Sequence, residues 1–110
     1  MSLTINEYQK LAMRTANPEC IELKNVGLGI AGEAGEVADL IKKHLCHDHP
    51  LDKLKLMKEL GDVAWYIALG CETLGVDMGS VLQMNVDKLK ARYPEGFDSN
   101  LSQHRKAGDV

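Results

Sequence analysis

Along the chain, apolar residues recur at three- and four-residue intervals and never alternate with polar ones, so the pattern predicts helices and no strands. A start signal opens at Thr4-Ile5-Asn6-Glu7: Thr4 can cap a free backbone N–H, Glu7 can reach back to the cap, and Leu3 and Tyr8 hold the two staple positions. That first helix should run to about Thr15, ahead of the Asn17-Pro18 break. A second helix is predicted over about 21–45, with Leu23, Val26, Ile30, Val37, Leu40 and Ile41 on one stripe. The polar stretch from His44 to Pro50 reads as a connection, and a third helix follows over about 51–74, carrying Leu56, Leu60, Val63 and Ile67. Gly75 stops it, and Asp77 can cap a fourth helix over about 78–92. Pro94 and Gly96 end regular structure. The expected architecture is one all-α domain over residues 1–98, four-helix bundle-like, with its core completed by oligomerisation. The polar tail 99–110 is expected to fray or to serve in packing between subunits.

Composition narrows the class. The chain has 110 residues, the length of a single core, and its 45% hydrophobic and 26% charged content is that of a folded domain. Its 13 Lys+Arg against 16 Asp+Glu give a net charge of −3, which argues against a broad nucleic-acid-binding surface. No apolar run approaches the roughly 20 residues needed to span a bilayer. Cys20, Cys46 and Cys71 form no CxxC pair, and an odd count without a leader fits a reducing compartment. The expectation is a cytoplasmic protein that engages neither nucleic acid nor membrane.

The informative feature is a repeated string. Glu33-Ala34-Gly35-Glu36-Val37-Ala38 in the second helix is echoed by Glu59-Leu60-Gly61-Asp62-Val63-Ala64 in the third, each with Ile four residues after its Val. A pair of acids three residues apart is common on solvated helix faces, but here the phase is unusual. Val37, Leu40 and Ile30 fall within about 60° of Glu33, and Glu36 lies about 60° away. Leu56, Val63 and Tyr66 stand in the same relation to Glu59 and Asp62. Four carboxylates beside an inward stripe cannot all stay ionised without compensation. Lys42 lies about 180° from Glu33, and Lys43 and Lys58 sit at the flanks. A hard divalent cation is the simplest compensation, and all-oxygen ligands select Mg²⁺ or Mn²⁺ over Zn²⁺. Gly35 and Gly61, at matching places in the two strings, suggest that another backbone approaches closely there.

These acids, followed by Asn85-Val86-Asp87-Lys88-Leu89-Lys90-Ala91-Arg92-Tyr93-Pro94, resemble the MazG-like family of the all-α nucleoside triphosphate pyrophosphohydrolase superfamily. The resemblance spans roughly residues 25–97 and includes the family's NxxKxxxRxP ending. It implies Mg²⁺-dependent cleavage of a nucleoside triphosphate between the α and β phosphates, giving a nucleoside monophosphate and pyrophosphate. It also implies that Glu33, Glu36, Glu59 and Asp62 are metal-binding acids, and that Asn85, Lys88 and Arg92 bind substrate through phosphate or sugar. Family members build their sites in dimers or tetramers, so a homodimer or homotetramer is expected. The residues themselves agree in part: Asn85, Lys88 and Arg92 share one helical face within about 60°, where two cations can offset phosphate charge. Among the acids, Glu36 and Glu59 are read as catalytic, with Glu36 chosen to orient or deprotonate the attacking water.

Other signals carry less. Tyr66 lies on the acid face and is a candidate for substrate contact, whereas Trp65 points elsewhere and is read as core or subunit interface. His44, Cys46, His47 and His49 match no usual structural zinc spacing. Two rival readings stay open. One is an enzyme specialised for dUTP, dCTP or phosphoribosyl-ATP. The other is a helical module that senses nucleotide without hydrolysing it.

Overall fold

In the computed structural model, which describes residues 2–110, every regular element is helical. The helices are α1 (Ile5–Ala12), α2 (Leu23–Cys46), α3 (Lys53–Leu74), α4 (Met78–Arg92) and α5 (Ser99–Gln103). Short 3₁₀ turns at Met13–Thr15 and Pro18–Cys20 join α1 to α2. Among the described residues, no helix is long and apolar enough to cross a membrane.

The predicted signals act where the side chains can reach the backbone. Thr4 Oγ1 accepts the Glu7 N–H at 3.1 Å, and Asp52 Oδ1 accepts that of Lys55 at 3.0 Å. Because Asp52 is the cap, α3 begins at Lys53 and not at Leu51. The first helix stops at Ala12, three residues early, and tightens into a 3₁₀ turn in which Thr15 Oγ1 donates to the Ala12 carbonyl. Gly75 ends α3 in the left-handed region at φ 70°, and the Val76 N–H bonds back to the Cys71 carbonyl at 2.9 Å.

The chain divides into two compact units, one ending at Met78 and the other beginning at Gly79. In the first, α1 and α2 each pack on α3. Ala12, Val26, Ala68, Leu69, Cys71 and Met78 are buried, and Leu69 is the large side chain fully enclosed there. Helices α2 and α3 run antiparallel, since Val26 meets Gly70, Gly29 meets Tyr66 and Glu33 meets Asp62. Close approach falls at Gly29, where a Cβ would collide with the Tyr66 ring, and at Gly70, where it would lie 3.1 Å from Val26 Cγ1. At Gly35 and Gly61 a Cβ would meet nothing within 4 Å, so the contact expected there is not made within this chain.

A buried glutamine ties the unit together. Gln9 Nε2 donates to the Val76 carbonyl (3.0 Å) and to Glu72 Oε2 (3.3 Å), while its Oε1 accepts the Met78 N–H (2.6 Å). Trp65 Nε1 donates to the Ala12 carbonyl and Thr15 Oγ1, both at 3.0 Å, so it pins the end of α1 to α3.

The second unit holds α4 from Gly79 onward and the segment expected to fray. Asp98 caps α5, accepting from Asn100 and Leu101 N–H at 2.8 and 3.1 Å. Beyond it, Asp109 is drawn to Arg92. Residues 99–110 share this compact unit with α4.

Candidate metal centre

Antiparallel packing of α2 on α3 brings the two acidic strings face to face. One carboxylate oxygen from each of Glu33, Glu59 and Asp62 lies within 4.8 Å of the others. Glu33 and Glu59 are half-buried, and Asp62 and Glu36 are exposed at the rim. Glu36 stands outside that three-residue group but adjoins it, acting on Glu33 and Glu59 through its charge.

The charge in this nest is unmet. Glu33 Oε2 and Glu59 Oε2 are buried without a hydrogen-bond partner. Among the described residues, no lysine or arginine forms an ion pair with any of the four acids. The nearest lysines on α2 are committed to Asp39, Lys43 at 2.9 Å and Lys42 at 3.4 Å. Burial raises the Glu33 carboxyl above the usual range, and the charges of Glu36 and Asp62 add to the effect. Glu59 is raised first by its hydrogen bond with Glu36, then by burial and by the surrounding carboxylates. Three converging carboxylates, two of them with an unpartnered buried oxygen, fit a hard cation with oxygen ligands.

Tyr8 is a neighbour that the sequence did not expose. Burial raises its phenol, and the negative charge of Asp62 raises it further, which places α1 at the edge of the acid cluster. Its staple position sets the phase of α1, but its approach to Asp62 depends on how α1 packs on α3. Tyr66 is on the acid-bearing helix as expected, yet its ring fills the space beside Gly29 and meets Trp65 edge-on at 5.0 Å. The structure uses it to pack α2 against α3.

Asn85, Lys88 and Arg92 all lie on α4, as the spacing predicts. Asn85 and Lys88 are exposed. Arg92 is not free: Nε and Nη2 each donate to an Asp109 carboxylate oxygen at 2.8 Å, and the guanidinium lies 5.9 Å from the Tyr93 ring centre.

The fold is an all-helical domain that presents acids from two antiparallel helices to one point. The comparison with known families places it more closely. A family model of the MazG nucleotide pyrophosphohydrolase domain matches residues 22–97, and the chain belongs to that family. It is also similar to the Gene 37 protein of Mycobacterium phage L5, with 38% identity over 87 residues, covering 76% of each chain. No solved structure gives a significant match.

Proposed function

We propose that the chain is a Mg²⁺-dependent nucleoside triphosphate pyrophosphohydrolase, splitting a (d)NTP between the α and β phosphates into a (d)NMP and pyrophosphate. The observation that supports this most is the pair of orphaned, buried carboxylate oxygens on Glu33 and Glu59, gathered with Asp62 in a domain of this family. Glu33, Glu59 and Asp62 would hold the ion, with Glu36 beside them. When bound, Mg²⁺ or Mn²⁺ supplies Lewis-acid charge to the phosphoryl group and acidifies water. Glu36 is solvent-accessible beside the three converging acids, so its carboxylate is suited to accept the proton of the attacking water. The water oxygen bonds to the α-phosphorus, the bond to the α–β bridging oxygen breaks, and its electron pair leaves with pyrophosphate. Asn85, Lys88 and Arg92 are assigned to phosphate or sugar. A nucleotide substrate goes with a cytoplasmic setting.

The same reading includes a homo-oligomer, a dimer or tetramer. Leu28 is 73% exposed, Leu45 72%, Leu54 61% and Met57 56%, an apolar presentation on α2 and α3 that a second copy would cover. Light scattering of the purified chain tests it, and a monomer at working concentration would remove it.

For the activity, the decisive experiment is a panel of canonical and modified nucleoside triphosphates with Mg²⁺, scored for pyrophosphate against orthophosphate. Pyrophosphate release that disappears in Glu36→Ala and Glu59→Ala, with helical content kept, is the expected result. Binding without turnover across the panel would replace the enzyme with a nucleotide-sensing module.

A further inference from the structure

Arg92 already has an anion. Its side chain is 9% exposed, and it grips both oxygens of Asp109 in the two-pronged geometry that a guanidinium also offers to phosphate. The partner comes from 17 residues away and brings the segment after α5 against α4. Beside the pair opens a cavity of about 430 Å³, with Ala91 and Leu101 on its apolar side. That volume lies in the range of small-molecule pockets. Lys88, Arg92, Arg105 and Lys106 line the cavity, whereas Asp109 supplies its one acidic side chain.

The balance of charge is therefore uneven. In a chain of net charge −3, four cationic side chains here face one acidic side chain. Arg92, Arg105 and Lys88 all hold the Asp109 carboxyl below the ordinary range, Arg92 most strongly, so each stands near enough to act on the same anion. A carboxylate meets only part of that positive charge. A phosphate chain brings more charge and more oxygens to the same donors.

We propose that Asp109 occupies on Arg92 the seat of a substrate phosphate, making the segment after α5 an internal competitor that a polyphosphate must displace. Lys88 and Arg105 then remain to clasp the incoming group. The inference rests on the assignment of Lys88 and Arg92 to substrate phosphate, and it adds a regulatory contact to that site. If Arg92 is free in only about a tenth of molecules, releasing it tightens binding about tenfold.

The test uses the full chain with inorganic tripolyphosphate as probe, by calorimetry in EDTA, on wild type, Asp109→Asn and Asp109→Ala. A tightening of roughly tenfold in either folded variant is expected. Equal or weaker binding in both overturns the competitor, because an Asp109 that merely orders Arg92 would be missed on removal. A readout without mutation guards against unfolded variants: saturating tripolyphosphate should speed amide exchange over residues 107–110 of wild type, and unchanged or slowed exchange overturns the proposal. The two readings fail separately. Pyrophosphate release by wild type, with KM and tripolyphosphate affinity unmoved by Asp109→Asn, removes the competitor and leaves the enzyme. Tighter tripolyphosphate binding in the variant, with no nucleotide turned over by either protein, removes the enzyme and leaves the competitor.

Discussion

Glu59→Gln keeps the shape of the side chain and removes one charge from the place where α2 and α3 gather several. In the metal-free chain Glu59 is pressed by Glu36, Asp62 and Glu33, and its Oε2 has no partner, so losing the charge should leave stability equal or higher. With Mg²⁺ the sign reverses, because Glu59 supplies one of the three converging carboxylate oxygens. At about 100 times its Kd an ion that binds only the folded state contributes about 2.7 kcal/mol. For a domain of this length that corresponds to a rise of roughly 10 °C in melting temperature. Loss of a ligand should weaken binding by at least the 10- to 100-fold typical of groups that only support ligands. At the upper figure the ion is left near its Kd, where it contributes about 0.4 kcal/mol, a shift of roughly 2 °C. Thermal melts followed by circular dichroism at neutral pH, in EDTA and in Mg²⁺, measure both signs on one sample. A variant that melts well below wild type in EDTA yet keeps the full Mg²⁺ shift would refute the argument, since Glu59 would then be a structural acid.

The remaining predictions concern pH and packing. Glu33 and Glu59 both have raised folded-state carboxyls, so the stability they contribute without metal is present below the ordinary value of about 4.3 and is lost as pH climbs through the folded values. In EDTA, the double variant Glu33→Gln/Glu59→Gln should therefore gain on wild type from mild acid to neutral pH. The Mg²⁺ shift of wild type should instead shrink toward acid as protons compete for the ligands, and a pH-independent gap or shift in melts would contradict this. Gln9→Leu strands the Val76 carbonyl and the Met78 N–H, while the exposed Glu72 can turn to water, so urea unfolding should show a loss of about 2–4 kcal/mol. A midpoint equal to wild type would mean that those groups find other partners. Gly29→Ala should cost about 1–3 kcal/mol through its collision with the Tyr66 ring, and pairing it with Tyr66→Leu should recover part of the loss. Gly35→Ala, with open space around it, should stabilise the chain by about 0.5–1 kcal/mol in the same assay.

What could be read in the chain was local, or followed from helical phase. Thr4, Pro18 and Gly75 mark boundaries because each acts on backbone within a few residues of itself, and a period of 3.6 residues alone places the acids of each string on one face. The spacing of Asn85, Lys88 and Arg92 on α4 follows for the same reason. Tertiary structure decided everything that depends on which turn of one helix meets which turn of another. Antiparallel packing of α2 on α3 selected Gly29, not Gly35 or Gly61, for close approach and set the Tyr66 ring against it. It left Glu33 and Glu59 each with an unpartnered oxygen, and the seating of α1 brought Tyr8 to Asp62. The pairing of Arg92 with Asp109 spans 17 residues, and no periodicity encodes it. A helix wheel fixes angles about one axis, whereas contacts between elements depend on relative translation and rotation, which only the packed side chains determine.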